Sequence, residues 1–177
     1  VRPPAAGRYA PAARAIHWVT AALVIAMIPG GFVLLDLPPG RIQDTAFDLH
    51  RSTGVLLFGL TLVRIAVRVA RPAPPLPASI PPLQQRVAGA VHLLLYGLLL
   101  AMPVVGWWAT SAYGAPIRVF GLFELPPLVA PDKAVAETAF AIHRALGIAL
   151  AAIVAAHAAA ALHHHFGRRD GVLRRML

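Results

Sequence analysis

His143 and His157 stand fourteen residues apart in the last long apolar run of this 177-residue chain. Fourteen steps at about 100° return a side chain to within about 40° of the same helix face, about 21 Å further along. That rise is most of a bilayer core of about 30 Å. His17 and His50 each lie near one end of another apolar run. Imidazole is the commonest side-chain ligand of transition metals, and an ionisable group inside lipid is costly enough to mark function. Histidines in two depth layers point to two metal-centred cofactors stacked across a membrane.

Zinc fits poorly. It takes four ligands in a tetrahedron, usually with thiolates or carboxylates among them. The chain has no cysteine, and its carboxylates lie outside the middle of the apolar runs. Two histidines per layer suit a planar macrocycle with four nitrogens of its own, a b-type haem. His50 opens HRSTG and His143 opens HRALG, so Gly54 and Gly147 follow on the same helix face. Glycine there spares the porphyrin a collision, and it also permits close helix packing. The same motifs put Arg51 and Arg144 beside their histidines. These could bind propionates, form a positive mouth for a small anion, or snorkel to lipid headgroups. Arg64, fourteen residues after His50, is expected to face the other layer. Arg68, one turn on, shares that role or simply marks the cytoplasmic side.

Four membrane helices must carry these residues, at about 15–35, 47–69, 87–108 and 135–166. The chain is 58% hydrophobic and 13% charged, with the charges between the apolar runs. A soluble domain this short could not hide so much apolar surface, whereas lipid solvates it. The expected fold is an all-α membrane protein, a four-transmembrane-helix bundle forming a single domain over residues 1–177. No charged n-region, short apolar stretch and cleavage site occur in order, so the first run is expected to be a retained span. The missing cysteine excludes disulfides, iron–sulfur clusters and covalent c-type haem.

Arg2, Arg8 and Arg14 precede the first span. Arg64, Arg68, Arg71 and Arg86 flank the second connection, and Arg168, Arg169, Arg174 and Arg175 follow the fourth span. Six of the seven acids, Asp36, Asp44, Asp48, Glu124, Asp132 and Glu137, lie in the other two connections. The positive-inside rule therefore puts both termini in the cytoplasm. The net charge of +9 does not signal nucleic acid, because the basic residues border spans instead of forming a patch on a soluble fold. Trp18, Trp107 and Trp108 fall at expected interfaces. RPAPPLPASIPP reads as a stiff polyproline-type strap, and IRVFGLFELPPL as a short interfacial element. In this orientation His50 and His143 share an outer layer, His17 and His157 an inner one. His92 lies at the inner depth and could replace either ligand; a hydrogen bond to a propionate or a neighbouring helix is the preferred reading. His163, His164 and His165 cluster at the cytoplasmic mouth, either to pass protons or as a solvated helix end.

The chain resembles the bacterial cytochrome b561 family, and within it the quinone-coupled superoxide oxidase branch. The resemblance rests on AIHW, LHRSTG, LTLVRIAVRVARPAPP, HLLLYGLLLAMPVVG, IHRALG and HAAAALHHHF, and runs from Arg14 to Leu177. It implies a bacterial inner-membrane protein with two b haems, ligated by His17 with His157 and by His50 with His143. It also implies electrons taken from periplasmic superoxide and delivered to ubiquinone, with His164 on the quinone side. The expected partners are lipid, superoxide and quinone, with no nucleic acid and no protein partner that need be assumed. Arg51 and Arg144 take no role from the family; a positive outer pocket that draws in superoxide is expected from this chain's own residues. Related b cytochromes pass electrons between quinone and a partner dehydrogenase or hydrogenase, which remains the alternative.

Overall fold

The computed structural model describes residues 7–75, 77 and 79–177, so Arg2 of the basic N-terminal set lies outside the described residues, as do Leu76 and Ala78 of the strap. Four long helices run Pro11–Val33 (α1), Arg41–Ala70 (α2), Pro82–Tyr113 (α3) and Lys133–Leu162 (α4). Each is long and apolar enough to cross a membrane. Thirty residues of helix reach about 45 Å, so the helices extend past the bilayer core that lipid solvation alone picks out. Their ends explain the extra length. Pro11 and Pro82 occupy first turns, where a missing N–H costs nothing. Asp132 caps α4 by accepting from the Val135 N–H at 3.0 Å. α3 stops at Gly114, whose φ of 81° most side chains disfavour. A π-helical turn, His163–Arg168, and a 3₁₀ turn, Leu173–Arg175, follow α4.

The expectation of an all-α fold needs correcting in the connection between α3 and α4. IRVFGLFELPPL forms an antiparallel hairpin, β1 (Ile117–Val119) and β2 (Phe123–Leu125), with Arg118 opposite Glu124. Phe120 and Gly121 both take positive φ at its tip. The hairpin is held from below. Ser52 of α2, wholly buried, accepts from the Phe120 N–H at 2.9 Å and donates to the Arg118 carbonyl at 3.1 Å. Trp107 donates to the Pro126 carbonyl at 2.9 Å, and Ser111 accepts from the Leu128 N–H at 3.1 Å. Beneath it, the buried alanines Ala109 and Ala112 of α3 and Ala136 and Ala139 of α4 supply the small side chains by which helices approach closely in lipid.

At mid-depth Val24, Leu57, Leu99 and Leu150, one from each helix, form the buried core, backed by Leu23, Met27, Leu95, Leu98, Met102 and Val154. Ile25, Leu93 and Ile148 stay exposed on the outer faces, as side chains solvated by acyl chains do.

The end that carries both termini is closed by arginines. Arg175 is buried; it donates to the carbonyls of Gly7 at 3.0 Å, Pro75 at 3.0 Å and Pro74, and lies over the Tyr9 ring. Arg68 lies over the same ring. Arg168 reaches Gln84 at 2.7 Å and the Ser79 carbonyl at 3.2 Å, and Trp18 donates to the Met176 carbonyl at 2.8 Å. One C-terminal segment thus ties the N-terminal segment, the proline strap and the start of α3 together.

Ser52→Ala is expected to free the hairpin, since two hydrogen bonds are lost at a buried site, at a cost of about 1–2 kcal/mol. Hydrogen exchange of residues 117–128 should speed up while the helix cores stay protected; unchanged exchange would show that the tryptophan and Ser111 contacts suffice.

Candidate functional site

The histidines and the residues level with them recur at steps of seven. α1 places His17, Val24 and Gly31; α2 His50, Leu57 and Arg64; α3 His92, Leu99 and Gly106; α4 His143, Leu150 and His157. The helices alternate in direction, so these positions stack into tiers. One tier, near the hairpin, holds Gly31, His50, Gly106 and His143. The middle tier is the aliphatic core. The third, near the termini, holds His17, Arg64, His92 and His157.

Within each polar tier two imidazoles face one another across the bundle. The ring centroids of His50 and His143 are 6.3 Å apart, and those of His17 and His157 are 6.4 Å apart. Two imidazoles bound to one iron from opposite sides, with metal–nitrogen bonds of about 2 Å, hold their centroids about 6.3 Å apart. Both pairs meet that spacing. His92 stands 5.4 Å from His157, which is too close for the two to hold one metal from opposite sides. Among the described residues no three imidazole or carboxylate groups converge as a protein-only metal site requires. The donor set therefore fits a group that brings its own equatorial nitrogens.

The surroundings make the same fit. His17 Nδ1 and His143 Nδ1 are buried without a hydrogen-bond partner; the Met102 carbonyl lies by His143 but outside hydrogen-bond geometry. Arg14 Nε and the fully buried Thr20 hydroxyl are equally unpartnered, and with His17 they follow at steps of three along one face of α1. Gly54 opens onto empty space, with no atom within 4 Å of where a Cβ would stand, as a cradle for a flat ring requires. Gly147 differs, because its Cβ would rest at 3.7 Å from the Met102 methyl. The glycines that touch the facing histidines are others: a Cβ at Gly31 would come within 3.1 Å of His50, and one at Gly106 within 3.0 Å of His143. Each gives its histidine room on a neighbouring helix. Pro29 and Pro103, just before them, break the hydrogen-bond ladder and loosen the backbone at that depth.

The arginines divide. Arg64 lies among His17, His92 and His157 and over the Tyr96 ring at 5.3 Å. Arg68 is turned to Tyr9. Near the hairpin, Arg51 pairs with Asp48 at 3.5 Å and covers Phe47 at 5.3 Å. Arg144 is exposed and has no ion pair among the described residues.

Beyond α4, the three consecutive histidines separate. His163 packs on Gly167, His165 lies on Phe166, and His164 meets Asp170. An ionised carboxylate can only accept, so His164 Nδ1 carries the shared proton and its Nε2 is left for other partners. Asp170 also accepts from the Val172 N–H at 3.2 Å and pairs with Arg168 at 3.7 Å. Burial pushes the Asp170 carboxyl up, but the hydrogen bonds from His164 and Val172 and the charges of His164 and Arg168 outweigh it and hold it below its ordinary value. Neither Asp170 nor the two glycines that touch the facing histidines stood out in the sequence. The step-of-seven ladder from His17 to Gly31 and from His92 to Gly106 was the signal for the glycines.

A family model described as prokaryotic cytochrome b561 matches residues 8–177. Cytochrome b561 homolog 2 of Escherichia coli strain K12 is 38% identical over 173 residues, covering 96% of this chain and 91% of the relative. A protein named probable superoxide oxidase CybB from Yersinia pestis is 29% identical over 162 residues, covering 92% of this chain and 91% of the relative. Cytochrome b561 homolog 1 of Escherichia coli strain K12 is 28% identical over 164 residues, covering 92% of each chain.

Because Asp170 titrates lower in the fold than in the unfolded chain, its contribution to stability is present above its ordinary value and fades as pH falls through the folded one. Asp170→Asn is expected to cost about 1 kcal/mol at neutral pH, as a partly screened charged hydrogen bond does. In thermal unfolding followed against pH, the gap to wild type should close below pH 3.8. A gap independent of pH would assign the loss to packing instead.

Proposed function

The chain belongs to the prokaryotic cytochrome b561 family of multi-pass, electron-transferring proteins of the bacterial inner membrane, and on that footing we propose that it oxidises superoxide at one face and reduces ubiquinone at the other through two b haems. The observation that carries this reading is the pair of imidazole spacings, 6.3 Å and 6.4 Å, each at the distance of two ligands on one iron. His50 with His143 and His17 with His157 would hold the two haems. A b haem bound between two imidazoles supplies reversible one-electron chemistry. The net reaction balances as two superoxide anions, one ubiquinone and two protons giving two dioxygen molecules and one ubiquinol.

Both termini lie in the cytoplasm in this reading, by the asymmetry of arginines and acids, and the hairpin lies in the periplasm. The whole chain acts as one domain. The residues then take distinct roles. Arg144, free of any carboxylate among the described residues, supplies the field that draws a small anion to the hairpin end. Arg51 contributes less, because Asp48 offsets it. Gly31 and Gly106 seat the outer histidines, and Gly54 leaves space beside them. Arg64 and Arg14 offer two cations, and Arg14 Nε and the Thr20 hydroxyl two unpartnered donors, to the polar edge of the inner group. Arg68 braces the cytoplasmic closure through Tyr9. His164 passes protons toward ubiquinone from its Nε2, with Asp170 fixing the ring's tautomer and direction. The 29% identical relative named as a probable superoxide oxidase supports the choice of donor.

A pyridine haemochrome count is expected to give about two haems per chain, with His17→Ala or His157→Ala losing mainly one and His50→Ala or His143→Ala mainly the other. A single haem in wild type would end the two-site reading. Gly106→Val should mimic His143→Ala, while Gly59→Val, at an exposed position on α2, should keep both haems. In stopped-flow mixing, Arg144→Ala is expected to slow reduction by superoxide about tenfold at low ionic strength and to flatten its salt dependence. Reduction that requires an added dehydrogenase or hydrogenase subunit would move the function to that class of partner.

A further inference from the structure

The four arginines that follow α4 are not equivalent. Arg175 is buried among backbone carbonyls, and Arg168 binds Gln84, Ser79 and Asp170. Both are consumed by the fold. Arg169 and Arg174 are exposed and have no carboxylate within ion-pair distance among the described residues. Asp170 lies between them in sequence but turns away to His164, Arg168 and the Val172 N–H.

These two arginines line one cavity of about 240 Å³ with His165, Phe166 and Gly171. It lies between the π-helical turn and the C-terminal 3₁₀ turn, where α4 leaves the apolar region. The backbone makes an effort to form it. Arg169 takes a φ of 54°, in the left-handed region that favours glycine. Gly171 takes 77°, and a Cβ there would meet no atom within 4 Å. Phe166, in the lining, is exposed at 69%, and Leu162, four residues earlier in the chain, at 51%.

We propose that this cavity binds the phosphate headgroup of an anionic phospholipid. Two guanidinium groups with no internal counter-ion call for an anion, and their forked donors match phosphate oxygens. The cavity is smaller than the roughly 300–1,000 Å³ of sites that enclose a whole drug-sized ligand, so it suits a headgroup whose remainder lies outside. Phe166 and Leu162 offer that remainder an apolar wall at the membrane boundary. A basic pocket between elements at this depth is the setting in which membrane proteins select acidic lipids. A neutral quinone ring would leave both cations unpaired. The site stands beside the proposed quinone region and does not depend on it.

The test uses the whole purified protein in mild detergent, with lipid adducts counted by native mass spectrometry. Dioleoyl phosphatidylglycerol is expected to be retained about thirtyfold more than dioleoyl phosphatidylcholine, as two surface cations would produce. Arg169→Ala combined with Arg174→Ala should abolish that preference, and Arg169→Lys with Arg174→Lys should keep most of it. An unchanged circular dichroism spectrum in both double variants shows that they fold. Displacement of the phosphatidylglycerol by millimolar inorganic phosphate would assign recognition to the phosphate oxygens alone; persistence would assign it to headgroup and chain together. Either supports the site. Equal retention of the two lipids, a preference that survives the alanine pair, or displacement by a short-chain ubiquinone overturns it.

Discussion

A seven-residue period, held in register across four antiparallel helices, decides where each of the facing imidazoles of this protein lies. Lipid is as apolar as leucine, so burial supplies little of the force that joins these helices. Shape does the work instead. Seven residues make about two turns, and small residues at that step let backbones close on one another. A slip of one residue in any helix would swing its histidine about 100° and set it against lipid. The middle tier of Val24, Leu57, Leu99 and Leu150 fixes the register without polar groups of its own. It also separates the two imidazole pairs with close-packed hydrocarbon, and the buried Thr61 hydroxyl beside it is turned back to the Leu57 carbonyl of its own helix.

The two ends of the bundle are stabilised differently from its middle. There the backbone leaves helix geometry, and its N–H and C=O groups need partners. Ser52, Trp107 and Ser111 satisfy the hairpin. Arg175, Arg168 and Trp18 satisfy the strap and the terminal segments. Polar side chains at helix ends therefore act as closures. They limit how far the helices can splay at the depths where the imidazole pairs sit.

Much of this was legible because periodicity survives in sequence. The four spans, and the depth of His17, His50, His143 and His157, follow from counting along single helices. What was hidden required knowing which helix neighbours which. Gly54 and Gly147 follow their histidines by four residues on the same helix, yet the glycines in contact with the facing imidazoles are Gly31 and Gly106 on adjacent helices. The hairpin was read only as an interfacial element, because three-residue strands carry almost no alternation and Phe120 supplies a positive φ where glycine would have been the cue. Arg168 and Arg175 read as topology signals by charge. Their hydrogen bonds run to carbonyls more than eighty residues away, which composition cannot reveal. Ser52 lay inside a motif read for its histidine and glycine.

Arg64 has a consequence for the two tiers as hosts for charge. It stands among His17, His92 and His157 with an aromatic ring, and no carboxylate among the described residues, beside it. Near the other pair Arg51 is offset by Asp48, and Arg144 stands exposed, where solvent and salt screen its charge. An uncompensated positive charge in a poorly screened interior favours any added negative charge at its own depth. On the two-haem proposal the bundle is a slope and not a level wire: an electron placed at the hairpin end finds lower ground toward the termini before any acceptor pulls on it.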